Sequence, residues 1–126
     1  MQRYKVLITI NSDNDKKSFT QIINYDEEKQ YLYYVENDPE KTVNIYDYKK
    51  NTLKRDNSKI YLELNFINKK ITNNKLQLKD LNNYLDIDIF TESIEVLDKN
   101  ITIKYLLNNE KYLYKLEIME EVKWVY

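Results

Sequence analysis

The chain has 126 residues, of which 20 are basic and 21 acidic, giving a formal net charge of −1, and it contains no cysteine, no histidine and no glycine. Without cysteine or histidine there is no disulfide, no thiolate chemistry, no imidazole metal ligand and no Ser-His-Asp triad. Balanced charge gives no global field to draw in nucleic acid or an anionic membrane, and a chain without glycine cannot build the Gly-rich cradles of dinucleotide and P-loop sites.

The opening MQRYKVLITI has Arg3 and Lys5 within a short apolar run and no small-residue cleavage site after it. It reads as a strand rather than a secretory signal. Tyr4, Val6, Ile8 and Ile10 share one face, with Arg3, Lys5 and Thr9 on the other, the period-two pattern of a half-buried strand. NSDNDK then supplies turn chemistry, and SFTQIINY and KQYLYYVE follow as β-rich runs separated by Asp26-Glu27-Glu28. ENDPEK, around Pro39, is the next break.

TVNIYDY and a short TLKR come next, and Asp56-Asn57-Ser58 turns the chain into KIYLELNF, the clearest strand, where Ile60, Leu62, Leu64 and Phe66 alternate with Tyr61, Glu63 and Asn65. A short strand is expected about Leu76 to Leu78, then LDIDIF and SIEV as two alternating runs, and finally IKYLLNNEKYLYKLEI as a hairpin turning at Asn108-Asn109. Asparagine is the commonest non-glycine residue to tolerate positive φ, so Asn57, Asn73, Asn74, Asn83, Asn108 and Asn109 are assigned to turns. About nine or ten short strands at regular spacing, with no helical run, predict an all-β sandwich or barrel. Closing a single antiparallel sheet removes its two reactive edges, so a barrel is expected. The expected interior is Ile60, Leu62, Leu64, Phe66, Leu85, Ile87, Ile89, Ile94, Val96, Ile101 and Ile103, and residues 1–126 are expected to form one domain.

TVNIYDYKKNTLKRDNSKIYLELNF, LDIDIFTESIEV and ITIKYLLNNEKYLYKLEI resemble, in their order, the YwiB-like proteins of low-GC bacteria. That resemblance implies a calycin-like, lipocalin-related β-barrel of unknown function, here of about eight to ten strands. Where the family pattern ends a strand in arginine before a turn with glycine, this chain has Arg55 before Asp56-Asn57.

Arg55 is one of two arginines and by alternation shares a face with Leu53. A guanidinium inside a barrel can hold a ligand carboxylate or phosphate, or close one end by bonding main-chain carbonyls or stacking on Trp124. Arg55 is therefore the ligand-binding candidate. Asp86 and Asp88, opposite Leu85, Ile87 and Ile89, belong on the solvated face, and Glu27-Glu28 and Glu120-Glu121 are charge pairs in turns or near the end. Tyr31, Tyr33, Tyr34, Tyr105, Tyr112 and Tyr114 suit barrel wall first, a ligand-lined cavity second and a single-strand stacking platform third.

No spacing of carboxylates, lysines and tyrosines selects a reaction, so no catalytic residue, metal or cofactor is assigned. The expectation is a non-enzymatic, cytoplasmic binding module for a small amphipathic or apolar ligand inside the barrel, as monomer or homodimer. The alternatives are a filled barrel serving as a structural or protein-interaction module and, less favoured, a single-stranded nucleic-acid binder.

Overall fold

Alternating strands joined by tight turns wind the chain into a cylinder in the computed structural model, which describes residues 2–123. Ten strands follow one another: β1 (Gln2–Ser12), β2 (Lys16–Asp26), β3 (Tyr31–Val35), β4 (Val43–Asp47), β5 (Thr52–Asp56), β6 (Ile60–Asn65), β7 (Ile71–Leu78), β8 (Asn83–Leu97), β9 (Asn100–Leu107) and β10 (Glu110–Glu121). Each pairs antiparallel with its sequence neighbour, and β10 returns to pair with β1, closing the barrel. A 3₁₀ turn at Lys79–Leu81 is the only helical element among the described residues.

The core is the inward half of this alternation. Val6, Ile8, Ile23, Leu32, Tyr46, Ile101, Ile103 and Leu116 are fully buried, and burying a side chain of this size stabilises the fold by about 1.5–3 kcal/mol. Leu64, Phe66 and Ile89 join them, with Leu62, Ile87 and Ile94 packed at the margin. Two expected core residues lie outside it: Leu85 is 48% exposed and Val96 43% exposed. Both have inward parity but sit near the ends of β8, where the residues on either side are also exposed. Ile60, at the start of β6, is partly buried and outside the core cluster.

LDIDIF and SIEV form one strand rather than two. The register of β8 on β9 shifts between Thr91 and Ser93, a bulge that inserts Glu92 and flips the parity. Odd positions face inward before it, as at Ile89 and Thr91, and Ile94 packs against the core after it.

Turns without glycine depend on residues that tolerate positive φ. Asn108 (φ 50°) and Asn109 (φ 63°) occupy the last hairpin turn, and Asn51, Asn82, Asp98, Gln30, Lys41 and Lys69 adopt the same region elsewhere. The turn assignment of Asn83 moves by one residue to Asn82. Asn57 works differently, its Oδ1 accepting from Lys59 N at 2.8 Å and Ile60 N at 2.9 Å, an Asx turn.

Asn73 and Asn74 are not turn residues but lie within β7. β6 pairs with β7 only from Ile60 to Leu62. Beyond that the strands part, and Asn74 Oδ1 accepts from Asn65 N at 2.8 Å while Thr72 Oγ1 donates to Asn65 O at 2.6 Å. Side chains thus replace missing ladder rungs, as a buried backbone requires. A second seam opens between β2 and β3, paired only from Asn24 to Asp26, where the Gln21 amide donates to Val35 O.

Candidate ligand cavity

Antiparallel alternation puts the β3–β4, β5–β6 and β9–β10 turns at one end of the barrel, and the cavity opens there. It has a volume of about 180 Å³ and an aliphatic floor of Ile10, Leu53, Leu62, Leu64, Ile87 and Leu107. Its polar wall is Glu36, Asn44 and Arg55, and its remaining surface is Tyr34, Tyr105, Tyr112 and Tyr114.

Arg55 faces inward two residues after buried Leu53 on β5, and Glu36 follows Tyr34 at the same spacing beyond the end of β3. Arg55 Nη2 donates to Glu36 Oε1 at 3.1 Å and Oε2 at 2.9 Å. The carboxylate side chain is 9% exposed and the arginine side chain 36%, so the carboxylate is buried while its partner reaches water. The loop that carries Glu36 is pinned. Glu36 N donates to Thr42 O at 2.8 Å, and Asp38 accepts from Thr42 N at 3.0 Å and Thr42 Oγ1 at 2.8 Å. The bond from the Thr42 backbone holds the Asp38 carboxyl below its ordinary pKa. Asn57 Nδ2 adds a bond to Thr42 Oγ1 at 3.0 Å, tying this loop to the β5–β6 turn.

The tyrosines form two pairs. The hydroxyls of Tyr34 and Tyr114 lie 3.0 Å apart and buried. Tyr105 and Tyr112, cross-strand partners on β9 and β10, stack with ring centroids 5.3 Å apart and an interplanar angle of 11°. Tyr112 Oη donates to Glu110 at 2.9 Å. Burial pushes the Tyr34 and Tyr105 hydroxyls up to about 12 and that of Tyr114 well above its ordinary value. These hydroxyls are therefore neutral donors and acceptors near pH 7.

The opposite end is plugged. Tyr25, Tyr46 and Tyr48 meet edge to face, with Tyr25–Tyr48 centroids at 5.8 Å and Tyr46–Tyr48 at 5.1 Å. Two of the hydroxyls find partners: Tyr48 Oη donates to Lys99 O and Tyr46 Oη to Asn51 Oδ1, both at 2.9 Å. The Lys99 ammonium lies 4.9 Å from the Tyr25 ring centroid and 5.5 Å from that of Tyr4. A wider depression of about 560 Å³ lies at this end along Phe66, Ile67 and Val96. Ile67 is 50% exposed, so this hollow is open surface, and the smaller, deeper cavity is the better candidate site.

Arg55 thus lies at the cavity, though its first partner is Glu36 rather than a main-chain carbonyl, and Trp124 falls outside the described residues. Tyr34, Tyr105, Tyr112 and Tyr114 are brought together there, while Tyr33 faces outward. Asp86 and Asp88 are exposed on the outer face, where Asp88 Oδ1 accepts from Asn73 at 2.7 Å. Glu27, Glu28, Glu120 and Glu121 are also exposed. Among the described residues no group of three or more carboxylates gathers as a metal site. Sequence reasoning missed Glu36 and Asn44. Alternation held the signal: each shares its strand's inward parity with a buried tyrosine, Tyr34 and Tyr46 respectively.

No protein-family model matches the chain, and no curated protein matches it by sequence. Among solved structures, the crystal structure of the ywiB protein from Bacillus subtilis is similar, with a TM-score of 0.60 and 18% identity over 94% of this chain and 92% of that one. The likeness is one of fold: the chain is a β-barrel with a YwiB-like fold.

Proposed function

We propose that the barrel is a non-enzymatic binding module that holds one small amphipathic or apolar molecule in the cavity between Arg55 and the Tyr34–Tyr114 pair. The observation that carries this reading is a hollow open at one end, with an aliphatic floor and a polar wall, in a barrel whose other end is plugged. Volume limits the occupant. An apolar protein cavity of roughly 150 Å³ accepts benzene, whereas sites for drug-sized ligands begin near about 300 Å³. At about 180 Å³ the ligand is a single ring or a short chain, not a fatty acid or a haem.

An up-and-down meander closed on itself is the architecture of lipocalin-type carriers, which favours a calycin-like assignment and a carrier's role. The tyrosine hydroxyls, pushed up by burial, supply no base near neutrality, which weighs against an enzyme. A cytoplasmic setting suits a chain without cysteine.

A second reading, a module that meets another protein through its outer face, draws on Ile71 and Leu97, which are 71% and 75% exposed. Native mass spectrometry of protein taken gently from its host separates the two. The binding reading expects a small-molecule adduct at one per chain, and a bare monomer that also leaves tyrosine fluorescence unchanged on addition of benzene-sized compounds contradicts it. A defined protein complex favours the second.

A further inference from the structure

The charges at the cavity say what kind of head group it takes. Arg55 and Glu36 are the two charged side chains on its wall, and they are spent on each other at 2.9 and 3.1 Å. A ligand carboxylate placed on Arg55 would sit beside the Glu36 carboxylate, whose side chain is 9% exposed. Like charges forced together where water is scarce repel strongly. A ligand ammonium meets the same obstacle from Arg55.

Hydrogen-bond donors, in contrast, are in surplus. A guanidinium carries five N–H groups, and Nη2 alone serves Glu36. Among the described residues, Nε and Nη1 of Arg55 meet no acceptor. Asn44 is 1% exposed, and its Nδ2 makes one long contact of 3.4 Å to Thr42 O. Opposite them, Tyr105 stacks on Tyr112 and adds an aromatic surface to the aliphatic floor. The site offers donors without net charge, beside a surface that suits a flat ring.

Resting on the binding reading above, we propose that the Arg55–Glu36 pair makes the cavity select an uncharged, acceptor-bearing head group, a hydroxyl or carbonyl on a body of about one ring, and reject the carboxylate of the same shape. Glu36 is a specificity-determining residue in this scheme, cancelling a charge that would otherwise recruit anions.

The test is a titration of benzyl alcohol, benzoate and benzylamine at neutral pH, followed by ligand-observed NMR, against the wild-type protein and Glu36→Gln. Wild type should bind benzyl alcohol at least about tenfold more tightly than either ion, a ratio that corresponds to roughly 1.4 kcal/mol. Glu36→Gln should raise the affinity for benzoate relative to benzyl alcohol about tenfold or more. Benzoate binding wild type as well as benzyl alcohol, or a ratio unmoved by Glu36→Gln, overturns the selectivity while leaving the cavity a binding site. Binding of none of the three to wild type overturns the binding reading and this inference with it. Should Glu36→Gln fail to fold, the wild-type ranking decides by itself.

Discussion

The two ends of the barrel are built from the same residue and behave as opposites. At the plugged end, Tyr25, Tyr46 and Tyr48 meet edge to face, and Tyr48 and Tyr46 send their hydroxyls to Lys99 O and Asn51 Oδ1, so rings fill the interior. At the cavity end, Tyr34 and Tyr114 bond to each other and Tyr105 and Tyr112 lie parallel, which leaves a hollow beside them. Composition cannot separate these outcomes. What separates them is where the hydroxyl finds its partner, because a buried phenol must be satisfied.

This contrast breaks most visibly when a ring is removed from each end. Tyr46→Ala should cost about 3–5 kcal/mol in urea unfolding, as for other large aromatic deletions in cores, while Tyr112→Ala at the cavity should cost about 1 kcal/mol. Equal losses would erase the distinction. Alkali should come next. Tyr34 and Tyr105 have folded-state pKa values raised to about 12 by burial, so their neutral forms are favoured by folding. The stability they contribute is fully present below about pH 10, the ordinary tyrosine value. It is lost as pH climbs from 10 through 12, up to about 5 kcal/mol for the two groups together. Tyrosinate absorbance from this end should therefore rise together with loss of the β-sheet circular dichroism. Stepwise titration near pH 10 with the sheet intact would contradict it.

Smaller effects sharpen the picture. Glu36→Ala should cost about 1–2 kcal/mol, less than the loss of a fully buried partner, because Arg55 reaches solvent. Asn109→Val, at φ 63°, should lower stability by about 1–2 kcal/mol, since a β-branched side chain resists the left-handed region. An unchanged melting temperature would remove the turn assignment. Thr91→Val should raise stability by about 1 kcal/mol, because Thr91 is buried and its Oγ1 has no hydrogen-bond partner among the described residues.

Strand order was legible from alternation, and so was the part of the core that Leu64, Phe66, Ile89, Ile101 and Ile103 form, while Ile23, Leu32, Tyr46 and Leu116 were not singled out. Arg55 was found by parity with Leu53. Three things were hidden. The bulge at Glu92 joins two apparent strands, since a single inserted residue looks the same in sequence as a break. Leu85 and Val96 have inward parity, but burial needs a wall opposite, and strand ends can outrun it. Asn73 and Asn74 read as turn residues by composition. Asn74, however, is buried and carries the backbone bonding of a seam that no local pattern announces. Glu36 was overlooked rather than hidden: it shares the inward parity of Tyr34, and its partner Arg55 lies nineteen residues away.

The most direct test is chemical-shift mapping of the protein titrated with benzyl alcohol. A hollow at one end predicts saturable shifts centred on Tyr34, Leu62, Ile87 and Tyr105, with Tyr25, Tyr46 and Tyr48 unmoved. Shifts scattered over the outer face or gathered around the plugged end, or none at all, would contradict it.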